Sequence, residues 1–340
     1  MMHRRGLAPV TPPPAPPALD AQQRLGLLLG LLGVFIFALS IPMTRLAGGT
    51  ASAPQLDPVF VALGRAALAG ILSAAYLYFT RAPRPRGVAQ WRGLALTALG
   101  VVFGWPLFLG WAVRHVDAVH ASVISGVLPL ATAAIAALAL RQRPSPGFWA
   151  CAVTGLALVL GFAWWRGAAG FQWADGLLLL AVLSASAGYV GGAQLSKALQ
   201  PQQVICWVLV LSLPVTLPAG LLTWPDQPVA WSAWGGFLYV SLFSMWLGFF
   251  AWYRALAIGG TLRVSQVQVL QPFLSMLLAV PVLGERLDGM TLVFAAAVIA
   301  VVWVGKKMPV DGPAARRAAP KLAGIPSGDR TMHPSDEGRR

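Results

Sequence analysis

The sequence predicts an all-α polytopic membrane protein, with ten transmembrane helices arranged as two inverted five-helix repeats. Three observations lead there. The first is composition: of 340 residues, 57% are hydrophobic and 11% charged. A soluble globular protein has about 25% charged residues, and this chain could not clothe a soluble surface. Such apolar content also excludes an intrinsically disordered chain. The second is continuity. The apolar residues run on for about 20 positions at a time, whereas a buried core helix needs about 10–14. They do not alternate with period two, which excludes a transmembrane barrel. The third is an internal repeat, set out below.

Ten spans are expected, at about 25–44, 58–79, 94–114, 118–140, 146–165, 175–196, 203–223, 232–256, 262–282 and 287–305. Asp57-Pro58 supplies an N-cap and a proline at the first helical position of the second span. Ser145-Pro146 and Asp175-Gly176 are read as similar starts. The third and fourth spans form a tight hairpin, and only Gly259 and Gly260 separate the eighth from the ninth. Pro42, Pro106, Pro129 and Pro272 fall inside spans and are candidate hinges, because each frees a carbonyl. The domains expected are a tail at 1–23, repeats at 24–165 and 174–306, and a basic tail at 307–340. The first tail reads PVTPPPAPP at 9–17 and cannot be helical. No apolar stretch follows Arg4 and Arg5 closely enough for a secretory signal, so the first span is expected to stay in the protein.

The net charge is +14. In a soluble chain that would suggest nucleic acid. Here the charges lie between and beyond the spans, so they read as orientation signals, and no nucleic-acid partner is expected. Of the 25 lysines and arginines, only Arg45, Arg114, Arg166 and Arg286 fall outside if the amino terminus is cytoplasmic. Arg65 is the one charge that lies clearly inside a span rather than near its end. Both termini are therefore expected in the cytoplasm, and the chain in the inner membrane. Trp91, Trp149, Trp164, Trp165, Trp173, Trp224, Trp231 and Trp234 cluster near span ends, as an interfacial belt would. Cys151 and Cys206 have neither metal-ligand nor disulfide-framework spacing.

The two halves align at a constant offset of 143, without a gap from about 104 to 143. Pro129 then meets Pro272, Ser122 meets Ser265, Ala112 meets Ala255, and Arg143 meets Arg286. Five spans per half, an odd number, invert the second half relative to the first. Inverted repeats suit a transporter, because two similar halves can exchange conformations and open a shared cavity to either side.

The strings FALSIPMTRLA at 37–47, DPVFVALGRAALAG at 57–70 and PLATAAIAALALRQRP at 129–144 carry a family resemblance. So do LFSMWLGFFAWYRALAIGG at 242–260 and QPFLSMLLAVPVLGERL at 271–287. The chain resembles EamA-type members of the drug/metabolite transporter superfamily over about residues 25–305. The resemblance implies ten helices around a central cavity, the fifth and tenth peripheral. It also implies cargo among amino acids, amines, nucleobases, nucleotide-conjugated sugars or toxic cations. The family's Gly-Glu-Arg turn is present at 284–286, whereas the first half has Arg141-Gln142-Arg143 in its place. An arginine at the position of Arg65 is common in the family.

No Asp or Glu lies near the middle of a span, which argues against polycationic or quaternary-amine cargo. Arg65 reads either as an anchor for a cargo carboxylate or as a snorkelling side chain. Gln266, Gln268 and Gln271 precede or adjoin Pro272 and, with Tyr189, Trp105, Trp246 and Tyr253, are candidate cavity residues; interhelical bonding and ordinary packing are the competing roles. His115, Asp117 and His120 form a polar cluster whose spacing does not converge on a metal, so no metal is expected. His120 is either turn chemistry or a titratable gating and proton-coupling group. No nucleotide-binding loop or cofactor motif occurs. The function expected is secondary transport, as an exporter or facilitator, of a small polar metabolite such as an amino acid or analogue, by alternating access. A membrane-embedded enzyme or a passive pore is the alternative; the expected partners are a small-molecule substrate and the lipid bilayer, with a homodimer left open.

Overall fold

A computed structural model of the chain describes residues 21–139, 143–166, 172–259, 267–308 and 310–311. Among these residues, eight helices are long and apolar enough to cross a membrane. They are α1 (Ala21–Gly48), α2 (Phe60–Phe79), α3 (Gly87–Ala112), α4 (Ala118–Ala139), α5 (Pro146–Trp165), α6 (Trp173–Leu195), α7 (Pro201–Leu222) and α8 (Trp231–Ala255). Two shorter apolar helices follow, α9 (Gln268–Leu283) and α10 (Gly289–Gly305). Two-residue strands, β1 (Arg143–Pro144) and β2 (Val310–Asp311), pair antiparallel.

Two helix starts differ from the sequence expectation. α3 begins at Gly87, earlier than expected, because the Gln90 side chain turns back and accepts the Arg86 N–H at 2.7 Å. Trp91 and Arg92 thus belong to a helix rather than to a loop. α6 begins at Trp173, with Gln172 as N-cap. Asp175 is therefore not the cap but the third helical residue, where its Oδ2 accepts the Gln172 N–H at 2.8 Å. Asp57 does cap its helix, accepting the Val59 N–H at 2.7 Å. The junction expected at Gly259 and Gly260 runs into residues 260–266, outside the described residues.

The long helices are not regular throughout. α1 is interrupted at Leu39, three residues before Pro42. The proline has no N–H for the Ala38 carbonyl, and its ring crowds that oxygen. α4 is interrupted at Gly126 and Val127, just before Pro129. α9 opens with a 3-10 turn, Gln268–Leu270, just before Pro272. Wider π turns occur at Phe60–Gly64 in α2, Leu99–Gly104 in α3 and Val240–Leu247 in α8. Pro106 follows the second of these and, lacking an N–H, cannot restore the i to i−4 bond there.

The main packings join helices far apart in sequence. α1 lies on α8, α3 on α6, α2 on α7, α5 on α10, and α4 on both α6 and α9. One buried apolar cluster gathers side chains of α4, α5, α6, α9 and α10, and a second gathers those of α1, α2, α3, α7 and α8. Large apolar residues such as Leu28, Tyr78, Phe79, Leu222 and Trp231 are exposed, as befits a surface solvated by lipid. Lipid supplies no hydrophobic drive between helices, so association depends on close backbone approach. A β-carbon at Gly100 would lie 2.4 Å from the Ser184 carbonyl oxygen, on the α3–α6 seam. At Gly236 it would lie 2.7 Å from the Met43 carbonyl oxygen, on the α1–α8 seam.

Gly235 and Gly236 make a controlled pair, because nothing lies within 4 Å of a β-carbon at Gly235. Gly236→Ala should destabilise the protein by about 1–3 kcal/mol through overpacking. Gly235→Ala should change stability by no more than about 1 kcal/mol, in the stabilising direction. Thermal unfolding of the two variants in detergent checks the contrast.

Candidate functional site

The irregular backbone marks where the polar interior lies. A narrow cleft, in this conformation with room for little more than a water or two, is lined by six helices. α1 contributes Phe37 and Ser40, α2 Arg65, α3 Val101 and Trp105, α6 Ala185 and Tyr189, α8 Ser244, Met245 and Phe249, and α9 Gln271. Arg65 and Trp105 each follow directly on a π turn, while Val101, Ser244 and Met245 lie within one. A π turn takes an extra residue per turn and so re-aims the side chains that follow it.

Arg65 is 2% exposed. Its Nε and Nη1 have no hydrogen-bond partner, and no ion pair reaches it among the described residues. Among the described residues the lining contains no Asp, Glu or His. An arginine buried at a span's centre costs about 2.5–3.5 kcal/mol on insertion scales, and it is normally paired. Gln271 Oε1 is likewise buried without a partner. The hydroxyls of Ser40 and Ser244 satisfy each other across α1 and α8 at 2.6 Å. Phe249 sets one wall, edge-on to Phe37 at 5.2 Å and to Tyr189 at 6.4 Å between ring centres.

A second, still tighter space adjoins the first, lined by Ser125, Leu128, Pro129, Gln268, Gln271 and Pro272. Gln271 borders both. The two span-interior prolines of the matched halves thus face one space, beside Ser125, whose carbonyl Pro129 leaves without its helical donor. Volume alone would not select this site. Larger grooves open elsewhere, both lined by apolar side chains.

Arg65, Trp105, Tyr189 and Gln271 are therefore brought together, with Gln268 next door. Gln266 lies outside the described residues. Trp246 and Tyr253 are not among the lining residues. Trp246 packs on Phe250 at 5.2 Å, and Tyr253 is buried against Phe249 at 5.5 Å in the α1–α8 cluster. Sequence reasoning missed Phe37, Ser40, Ser244 and Phe249.

The His115–Asp117–His120 cluster disperses to three partners. The His115 ring meets Trp173 edge-on at 4.5 Å. Asp117 pairs with Arg45 at 3.3 Å. His120, buried and outside the cavity lining, holds Asp175 through Nε2 and Oδ1 at 2.6 Å, which ties α4 to α6. The start of α4 is further held from α9. Glu285 accepts the Ala118 and Val119 N–H groups at 2.8 Å each, one on each carboxylate oxygen. Arg45 donates to the Val113 and Val116 carbonyls, 2.5 Å from the latter, and its Nε lies 3.9 Å from Glu285. Burial raises the Glu285 carboxyl above its ordinary value, against the opposing pull of the two N–H groups and Arg45.

The EamA-like transporter family matches this chain twice, over residues 24–164 and 172–304. The chain belongs to that family: it is a multi-pass membrane protein of a transporter family. A Bacillus subtilis (strain 168) protein named uncharacterized transporter YdeK is 41% identical over 287 residues, 83% of this chain and 97% of that one. A chloroplastic WAT1-related protein of Arabidopsis thaliana is 24% identical over 74% of this chain and 63% of its own length. A solved crystal structure shares the fold with a TM-score of 0.56 and 19% identity, over 83% of this chain and 98% of that one.

Glu285 yields a pH signature. A carboxyl raised in the folded state stabilises in its protonated form below the unfolded value, and that contribution is lost as pH rises through the folded value. The melting temperature of the native protein should therefore fall relative to Glu285→Gln across that window, read from paired melts at stepped pH. Glu285→Ala should cost about 1–3 kcal/mol, because two helix-start N–H groups lose their acceptor.

Proposed function

We propose that this chain is a secondary carrier of the cytoplasmic membrane, with ten spans in two inverted five-helix repeats and both ends cytoplasmic. It moves a small polar metabolite, of the size and polarity of an amino acid or its analogues, through the α1–α2–α3–α6–α8–α9 cavity by alternating access. The observation that carries the reading is Arg65, a buried guanidinium without a counter-ion on a cavity wall. Near-complete burial favours the cargo anchor over the snorkelling side chain.

Several features support the repeat. The family matches twice. At the 143 offset, the π turn Leu99–Gly104 falls within Val240–Leu247, and the breaks before Pro129 and Pro272 coincide. The packing follows the same exchange: α1 on α8 corresponds to α6 on α3, while α2–α7, α4–α9 and α5–α10 each map onto themselves. No carboxylate or imidazole lines the cavity, and His120 is engaged with Asp175 away from it. That supports gradient-following transport rather than obligatory proton exchange.

Reconstituted in liposomes, the protein should give saturable flux stimulated by unlabelled cargo on the opposite side. An imposed pH gradient should not concentrate a neutral cargo. Linear, unstimulated flux would mean a pore instead. Orientation is checked separately with single cysteines in a variant lacking Cys151 and Cys206. An impermeant thiol reagent on intact cells should label Gln227→Cys and spare Val88→Cys, both exposed positions; the reverse pattern would invert the orientation.

A further inference from the structure

We infer that the cavity selects cargo by net charge: it takes a carboxylate carrying one net negative charge, an apolar or aromatic body and a neutral hydrogen-bond donor, and it discriminates against zwitterions. This rests on the carrier reading above and narrows its cargo class. The charge inventory is the first argument. Among the described residues Arg65 is the one ionic side chain in the lining, 2% exposed, with Nε and Nη1 unpartnered. A monoanion docked there brings the desolvated site to neutrality. A zwitterionic amino acid restores the surplus positive charge through its ammonium group, which finds no carboxylate in the lining. A net cation doubles the surplus. Like charges held in a narrow, low-dielectric space repel strongly, and an ammonium removed from water needs compensation that neutral groups supply only in part.

The second argument comes from the neutral wall. Gln271 Oε1 is buried and lacks a donor. It is an acceptor waiting for an O–H or N–H, and a hydroxyl supplies one without adding charge. Ser40 and Ser244 bond each other at 2.6 Å, a bond that uses one of their two hydroxyl hydrogens. The remaining walls are rings: Phe37, Trp105, Tyr189 and Phe249. Once the cleft widens, as the carrier reading requires, they suit an apolar or aromatic body beside the carboxylate held at Arg65.

Four compounds of one skeleton separate these features: phenyllactate, 3-phenylpropanoate, phenylalanine and phenylalaninamide. Direct binding of each radiolabelled compound to the purified full chain in nanodiscs provides the readout. Phenyllactate should bind about tenfold or more tighter than phenylalanine, and phenylalaninamide weakest of all. Phenyllactate should exceed 3-phenylpropanoate by about fivefold, and Gln271→Leu should erase that difference alone. Arg65→Gln should remove the preference for the anion. Arg65→Lys should keep the preference with weaker binding, because a point charge replaces the planar fork. Inorganic phosphate should not compete, since it offers nothing to the rings. The native protein alone decides the case if the Arg65 variants do not fold. Phenylalanine binding as tightly as phenyllactate, or phosphate displacing it, overturns the inference. Binding of none of the four also overturns it. Saturable, counter-stimulated flux of another metabolite would then leave the carrier reading standing, so the two fail separately.

Discussion

Inside a bilayer no water relieves an unpaired backbone N–H or C=O, and each such group costs several kcal/mol. Irregular backbone is therefore tolerated only where protein or a polar cavity can meet it. The departures from α-helix in this molecule obey that constraint. The π turns at Phe60–Gly64, Leu99–Gly104 and Val240–Leu247 sit where side chains enter the cavity. The α4 break leaves Ser125 facing Gln268 and Gln271, and the Leu128 carbonyl accepts the Ser186 hydroxyl at 3.4 Å. Hydroxyls elsewhere bond back to carbonyls one turn earlier, as Thr44 does to Ser40 and Ser241 to Phe237.

Eight spans were legible because lipid demands long apolar runs, while the last two expected spans form shorter apolar helices. Pro42, Pro129 and Pro272 were legible as break points because a missing N–H acts locally. Arg65 stood out because charge is rare in such a chain. What stayed hidden depends on register between distant helices. Nothing in LGVVFG or VSLFSMWL announces a π turn, since the same residues would fit a regular helix. Trp246 and Tyr253 lie on the helix that supplies Ser244 and Phe249, yet the π turn and the packing on α1 and α7 leave them in the apolar cluster. Asp175 read as an N-cap because its position two residues into the helix, and its pairing with His120, are set across 55 residues of chain.

Charge is divided between two places with different jobs. The cavity holds an isolated cation, whereas the start of α4 gathers Arg45, Asp117 and Glu285 within bonding reach. Neutralisation there is internal, so that end of the bundle is self-sufficient. The Gly-Glu-Arg turn supplying Glu285 has Gln142 at the matching position of the first half. A neutral amide has one acceptor oxygen and no charge, whereas the carboxylate presents a separate, charged oxygen to each N–H. The two ends of the proposed repeat are thus chemically unequal even though their helices correspond.

The glycine seams have a mechanical consequence. At Gly236 the backbone of α8 rests on that of α1, and at Gly100 the backbone of α3 rests on that of α6. Contacts at that range leave no slack for sliding, so each pair behaves as one stiff plate. The α1–α8 plate carries Phe37, Ser40, Ser244 and Phe249, and the α3–α6 plate carries Val101, Trp105, Ala185 and Tyr189. Cargo held between them touches two bodies rather than six independent rods. On the proposed carrier reading, the cavity widens by the plates parting as jaws, with Arg65 on α2 and Gln271 on α9 at their margins.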